Sequence, residues 1–596
     1  MALKIVFIAI IFAPLSLWGF SSESISHYQK TAEHKNLATS SEWLRLGHYR
    51  KSLFGNYESP FRGKLFISPE GFNDPAAELK ASIELLLSKP DEQCRYPART
   101  AWLKKVLEIP VESFHPCPEL ETWKNQLGAQ EIYIIFASAD LNSLGSSFGH
   151  TFLRAHNPKN IQNLDLLDYG INYAASTGED DGALFALKGL FGFYPGSYSM
   201  LPYHQKMREY TNLEGRDLWE YKLNLTPEQV EAIIDHLLEL DSSYAEYFFL
   251  KDNCSRQILE LIEVARPDLD LSSQFRDSTI PLDTLKALEE NHLLSKERLR
   301  LSLQSEWRES YRHLNRSQKN AMKTLTESQD MKVLEGFSTE EQVEVLDASL
   351  RYLSIQDYRH RRDSKDAKYN LSVARARLGV QTDSSQIKKI SPLVSPDSRS
   401  FYFGYGNFDE NEFYRLKYRR AFHDLLSQDS GSIPFSHLEV LSAEFRYFSE
   451  KPSLDLSQLV LLKMLSTSPI NELDTPVSWQ VDVGTLPKLS PYFNLGFGYS
   501  YDFNFFDGTR STLMAVSENY QLADTAEPYL GGELLLMSKG STWRSLLDGR
   551  YLLKTTTGEM IWDYGVGFSF DVLKTELRLE ARNRENTPEL QVTIVF

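Results

Sequence analysis

Cysteine is scarce in this chain: three residues in 596, at Cys94, Cys117 and Cys254. Basic charge is not in excess either. Lys and Arg number 64 against 81 Asp and Glu, a net charge of −17. That balance lacks the basic face a nucleic-acid binder needs, so no nucleic-acid partner is expected. The 13 histidines show no paired ligand spacing, so no metal is expected. No phosphate-binding glycine loop or dinucleotide fingerprint is present, and no cofactor is expected. Beyond the first twenty residues nothing approaches the roughly 18 uninterrupted apolar residues of a membrane-spanning helix.

What is present is a long chain with 42% hydrophobic and 24% charged residues and many aromatics, 30 Tyr and 34 Phe. Those proportions are globular rather than disordered. The length suggests two to four domains. The chain opens with Lys4, an apolar run from Ile5 to about Trp18, and then small residues. This reads as a secretory signal peptide over residues 1–21, too short to span a bilayer comfortably. No cysteine follows the run, so it is not a lipoprotein signal of that kind. Export gives meaning to an odd cysteine count. Cys94 and Cys117, 23 positions apart around a helix-like stretch, are the natural disulfide pair of an oxidising compartment. Cys254 is left over. A buried inert thiol is the plain reading of such a residue, a nucleophile the sharper one.

The pattern then divides the chain. Residues 22–118 read as a helical N-terminal domain, with Pro75 starting a helix whose apolar residues fall three and four apart. His48 there reads as a packing residue. Residues 119–275 read as mixed α+β. Ile132–Ala137 is a β-branched and aromatic strand, Phe148–Arg154 a second strand, and Leu164–Tyr173 a third. Thr226-Pro-Glu-Gln229 is a capping box with Pro at the first helical position. Residues 276–365 read as a polar helical connector with no site of its own.

Residues 366–596 change character again. In Phe493–Phe503 every odd position is aromatic or Leu and every even one is Asn, Gly, Ser or Asp. Val477–Gly484, Trp562–Phe570 and Leu573–Arg582 repeat the design, and the chain closes on an amphipathic strand ending in Phe596. One apolar, aromatic face over about ten residues is the signature of an antiparallel outer-membrane β-barrel. Closure favours an even number, and about twelve strands are expected. The terminal Phe resembles the assembly signal of such barrels. A soluble sandwich would need a second sheet to cover so aromatic a face.

The chemistry centres on Asp252-Asn-Cys-Ser-Arg256, which leads into a run with apolar residues at Ile258, Leu261, Ile262 and Val264. That spacing predicts a core-facing helix with Cys254 at its mouth, where unpaired N–H groups favour a thiolate. His150, on the second strand, is the candidate base. A hairpin turning near residue 160 would set residues 168–172 opposite it. Asp168 and Asn172 share its parity and are the two candidates for orienting the imidazole. The backbone N–H groups of Cys254 and Ser255 are the candidate oxyanion donors. Asp252 would oppose thiolate formation unless it points away.

The histidine precedes the cysteine by 104 positions, the reverse of the papain order. This resembles the circularly permuted papain-like group that includes lecithin–retinol acyltransferase. Ser147-Phe-Gly-His-Thr-Phe-Leu-Arg154, Asp168-Tyr-Gly170, Arg216-Asp-Leu-Trp-Glu-Tyr221 and Asp252-Asn-Cys-Ser-Arg256 more closely resemble the Lnb N-terminal periplasmic domain family. Trp43-Leu-Arg-Leu-Gly-His-Tyr49 and Tyr418-Arg-Arg-Ala-Phe-His423 resemble the domains that flank this module in many Gram-negative members. The resemblance implies Cys254 as nucleophile and His150 as base. It departs in one respect: the Lnb enzymes that name the family carry inner-membrane helices after the module, whereas this chain has barrel strands. Three functions follow as expectations. The favoured one is an enzyme: a thiol acyltransferase or hydrolase, tethered in outer-membrane lipid by its barrel, with the catalytic domain in the periplasm and acyl lipid or lipoprotein as substrate. The second is a cysteine peptidase or amidase on cell-wall peptide. The third is a barrel with a non-catalytic periplasmic module.

Overall fold

The computed structural model describes residues 20–596 apart from 53, 111–114, 141–145, 161–163, 179, 181, 361, 381–388, 429–432, 451, 472–474, 488–489, 504–507, 523–524, 574 and 585–586. Residues 1–19 of the proposed signal peptide therefore lie outside the described residues. Two compact units emerge. The first comprises Met1–Ile134, Phe152–His204 and Lys222–Asp277; the second comprises Ile135–Thr151, Gln205–Tyr221 and Ser278–Phe596.

The first unit begins with five helices: α1 (Ser22–His34), α2 (Ser41–Leu46), α3 (Pro75–Ser88), α4 (Pro97–Val106) and α5 (Pro118–Leu127). Asp74 caps α3 by accepting from the N–H groups of Ala76 and Ala77, and Pro75 takes the first position, where its missing N–H costs nothing. Trp43, Leu79, Ile83, Leu86 and Leu103 form the core between these helices. Cys94 and Cys117 are disulfide-bonded, their Cα atoms 5.5 Å apart. Three short strands interrupt the helices: β1 (Arg50–Lys51), β2 (Tyr57–Glu58) and β3 (Arg62–Gly63).

The strands β4 (Glu131–Ala137), β5 (His150–His156), β6 (Tyr169–Ala175), β7 (Tyr194–Pro202), β8 (Leu218–Leu223) and β9 (Ser243–Tyr247) follow, with helices α6 (Gly182–Leu190), α7 (Tyr203–Arg208), α8 (Pro227–Glu239) and α9 (Cys254–Ala265). Within the first unit the order is β5–β6–β7–β9–β3. The capping box at Thr226 and Gln229 forms as expected and starts α8. α9 packs on β6, α8 and α2. Ile258, Leu259, Leu261 and Ile262 are fully buried, each worth about 1.5–3 kcal/mol in burial. The third expected strand starts later than the sequence suggested: Asp165–Leu167 is a 3-10 turn, and the strand itself runs Tyr169–Ala175.

In the second unit, β8 pairs with β10 (Leu294–Arg300). Helices α10 (Pro281–Glu290), α11 (Leu303–His313), α12 (Arg316–Ser328), α13 (Thr339–His360) and α14 (Lys365–Arg377) follow. Trp307, Met322, Leu325, Val345, Leu346 and Leu371 knit the last four together. The barrel therefore starts later than residue 366: α14 occupies Lys365–Arg377, and the first barrel strand is Ser400–Phe408.

From there the chain is a closed antiparallel barrel of twelve strands, each paired with its neighbour in sequence. The first pairs with the last, Thr587–Val595, in the register Tyr402↔Val595. A thirteenth, three-residue strand, Ala421–His423, lies against the third barrel strand, His437–Phe448. Alternation does the sorting. Phe493, Phe497, Tyr499, Tyr501 and Phe503 face outward and exposed, while Tyr492, Asn494 and Ser500 face inward and buried. Side chains bridge the lumen. Arg446 reaches Glu589 at 2.9 Å and Gln480 reaches Glu533 at 2.6 Å, both between strands that are not neighbours. Leu426 and Phe435 join an inner core with Met514, Leu535, Met537 and Leu546. The Arg544 and Arg510 guanidinium groups donate to the carbonyls of Leu426 and Pro434.

Candidate functional site

Cys254 is the first residue of α9 and is 3% exposed. Asn253 caps the helix: its side-chain oxygen accepts from the N–H groups of Ser255 (3.1 Å) and Arg256 (3.3 Å), and its amide donates to the Phe249 carbonyl (3.0 Å). The Cys254 N–H donates to the Tyr247 hydroxyl at 3.2 Å. Burial raises the Tyr247 pKa well above the ordinary tyrosine value, and a charge on Cys254 beside it pushes the same way. Tyr247 is therefore a neutral phenol held against the thiol. Neither expected oxyanion donor is open, because the Cys254 N–H serves Tyr247 and the Ser255 N–H serves the Asn253 cap.

Asp252 does not oppose the thiol as an unpaired charge. It bonds to Arg50 at 2.5 Å and faces Arg256 at 3.3 Å. Both guanidiniums also bind Glu260, at 2.9 and 3.1 Å. Burial alone would raise the Glu260 pKa, but Arg50, the His48 hydrogen bond and Arg256 reverse this and hold it ionised. From Glu260 the network continues inward. His48 Nδ1 lies 3.2 Å from Glu260, His48 Nε2 lies 3.0 Å from His236 Nε2, and His236 Nδ1 lies 3.3 Å from Glu239. Each Nδ1 faces a carboxylate. Burial takes the His48 pKa down to about 4, against the upward pull of its hydrogen bond to Glu260. His48 and Arg50 belong to the N-terminal segment and had no place in the site as read from sequence.

Asp168 corrects the expected hairpin. The observed register pairs Leu153 with Ile171 and Ala155 with Tyr169, which carries Asp168 to His156. Its carboxylate binds Arg154 (3.0 Å), His156 (2.8 Å) and the Asn160 amide (3.0 Å), and accepts the Asn157 N–H (3.3 Å). It braces the turn between β5 and β6. Asn172 is buried on β6 opposite Ser199.

Cys254 lies in the first unit and His150 in the second. His150 opens β5, its ring stacked on Tyr210 at 5.7 Å and 26°. Tyr210 sits in a π-helical turn, Glu209–Glu214, with the Arg216 guanidinium 5.2 Å from its ring. Gly149 precedes the histidine at φ +82°, and a Cβ there would stand 2.6 Å from the Phe136 ring and 3.1 Å from the Ala137 carbonyl. The Gly-His pair in the motif thus has a backbone cause.

With the cap, the thiol and the histidine stacked on Tyr210 in place, the comparison with known families is direct. Residues 119–291 match the Lnb N-terminal periplasmic domain. The flanking segments match two domains of unknown function, DUF7843 over 35–106 and DUF7840 over 389–594. No curated protein gives a match to this chain. Two solved structures, a KdgM porin and the KdgM porin in complex with disordered oligogalacturonate, align over 33% of this chain and 98% of theirs. Their identities are 12% and 13%, with a TM-score of 0.22 each. The barrel of this chain is established by its own strand pairing.

Within residues 119–291, which match the Lnb model, sequence alone does not reveal a cluster of tyrosines. Tyr173 on β6, Tyr198 on β7 and Tyr247 on β9 share one sheet face. Tyr173 packs edge-on to Tyr198 at 4.9 Å and stacks on Tyr247 at 5.8 Å. Tyr198 donates to the Gln257 carbonyl at 2.7 Å. The three lie far apart in sequence, and each alternates within its strand like any packing residue. Only strand order brings them under α9. The Tyr173 hydroxyl and both amide atoms of Gln257 are buried without a partner, and each such group ordinarily costs about 1–3 kcal/mol.

Proposed function

We propose that the chain is an outer-membrane-anchored thiol enzyme of the acyltransferase or hydrolase class, its Lnb-type domain lying in the periplasm. The observation that carries this reading is the setting of Cys254. A thiol outside the disulfide occupies the first position of a helix, beside a neutral tyrosine hydroxyl, while the adjacent Asp252 is neutralised by two guanidiniums. In the proposed step the Cys254 sulfur attacks the carbonyl carbon of an ester or amide. The carbonyl π pair moves to oxygen, and on collapse the C–O or C–N bond breaks. The leaving group departs with the proton taken from the thiol, and water or an amine then cleaves the thioester. His150 is assigned as the base on motif order and the family match alone.

Acyl lipid or lipoprotein is the favoured substrate class. Exposed Leu184, Phe191 and Phe193 around α6 offer an apolar surface suited to acyl chains, and the aromatic outer face of the barrel supports a membrane location. The burial of Cys254 favours the other reading, a non-catalytic module with a packing cysteine. Expressing Cys254→Ala in a deletion strain decides between them. The catalytic reading expects loss of every deletion phenotype's rescue, with wild-type protein carrying an acyl adduct on Cys254 by mass spectrometry. Full rescue by Cys254→Ala would sink it.

A further inference from the structure

The thiol reading leaves one chemical requirement unmet. Attack on a carbonyl places negative charge on its oxygen, which needs a donor. The Cys254 and Ser255 N–H groups are already engaged, by Tyr247 and Asn253. Two other groups are not. The Tyr173 hydroxyl is fully buried and has no partner, and the Gln257 amide is fully buried with neither atom bonded.

Their placement is specific. Gln257 lies three residues after Cys254 on α9, so both side chains emerge on neighbouring parts of one helix face. Its backbone carbonyl is held by Tyr198, whose ring contacts Tyr173. Tyr173 in turn stacks on Tyr247, the residue that holds the Cys254 N–H. Gly196 on the neighbouring strand makes room for the phenol, since a Cβ there would lie 2.6 Å from the Tyr173 hydroxyl. Burial, followed by the nearby Asp252 charge, raises the Tyr173 pKa, and charge on Cys254 adds to this. The hydroxyl therefore keeps its proton and can donate it in a hydrogen bond. Buried groups left unpartnered beside a nucleophile call for a ligand.

We propose that Tyr173 and Gln257 form the polar subsite for the acyl carbonyl, with the Tyr173 O–H donating to the oxyanion as Cys254 attacks. This rests on the thiol reading above. No proton is transferred from Tyr173: it donates a hydrogen bond while the C–S bond forms, and releases it when the carbonyl re-forms and the leaving group departs.

Two electrophiles separate the roles. p-Nitrophenyl butyrate acylates a thiol through an oxyanion. Iodoacetamide alkylates by direct displacement and forms none. Full-length protein in detergent is treated with each, and Cys254 modification is followed by intact mass. Tyr173→Phe is expected to slow acylation about 10²–10³-fold and to leave alkylation within about twofold. Gln257→Met, which keeps the tyrosine cluster whole, is expected to slow acylation as well, and it serves if Tyr173→Phe does not fold. Unchanged acylation in both variants, with wild type acylated normally, overturns the subsite and leaves the thiol reading standing. Equal slowing of both reactions marks a packing role and also overturns it. A wild-type Cys254 that is alkylated yet never acylated overturns the thiol reading and the subsite together.

Discussion

Replacing Arg50 by Met tests how the N-terminal segment supports the thiol. Arg50 is the shared partner of Asp252 and Glu260, at 2.5 and 2.9 Å. Removing one member of a buried ion pair ordinarily costs about 3–5 kcal/mol, because a charge is left unpaired. Two carboxylates lose a partner here, but Arg256 still faces both, and the Arg50 side chain is 25% exposed. Both facts place the expected loss at the lower end, about 3 kcal/mol. For a unit of this size that corresponds to a fall of about 6–12 °C in the melting of the first unit. Tryptophan fluorescence can follow this, because Trp43 and Trp102 stack in the first unit's core. Neutralising one orphan, in Arg50→Met with Asp252→Asn, is expected to restore about half of the loss, as a double-mutant cycle requires of coupled charges. A drop of under about 2 °C, equivalent to 1 kcal/mol or less, would refute the reasoning. So would a double variant that melts no higher than Arg50→Met.

The His48–His236 pair predicts a specific acid sensitivity. The His48 pKa falls from the ordinary 6.5 to about 4 in the fold, so the unfolded chain binds the extra proton more readily. The contribution is fully present above pH 6.5 and is lost as pH falls through about 4, a change of about 3 kcal/mol. Melting of wild type between pH 7 and 3.5 should show this slope, and His48→Gln should lose most of it; parallel curves would refute the assignment to His48. The barrel predicts an electrical result. With Arg446–Glu589 and Gln480–Glu533 bridging the lumen and Leu426 and Phe435 packed inside, the purified protein should show no steady conductance in planar bilayers, and an ohmic open channel would refute the inference that these contacts block passage.

Much of the architecture could be read directly from the residues, because it follows from local periodicity. Alternation in Phe493–Phe503 sorts aromatics outward whatever the rest of the chain does. Thr226, Pro227 and Gln229 start a helix through contacts within one turn. The Asn-Cys helix mouth at 253–254 is equally local. The barrel boundary was misplaced by the same reliance on pattern: residues 365–377 are polar and lack strong punctuation, yet they pack as α14 through Leu371.

What tertiary structure decided is which groups meet. A hairpin register depends on the geometry of its turn, and here it delivered Asp168 to Arg154 and His156. A backbone N–H can be counted as a donor in sequence, but whether it is spent depends on a neighbour brought from elsewhere, as Tyr247 is brought to Cys254. Arg50 and His48 reach α9 from about two hundred residues away, and Tyr173, Tyr198 and Tyr247 become one cluster only through the strand order. Sequence by itself determined which elements form and that a lone thiol opens a helix. The fold determined which charges are neutralised, which donors are taken, and which two polar groups beside that thiol are left open. Hydrogen bonds and ion pairs are satisfied in space, without regard to distance along the chain.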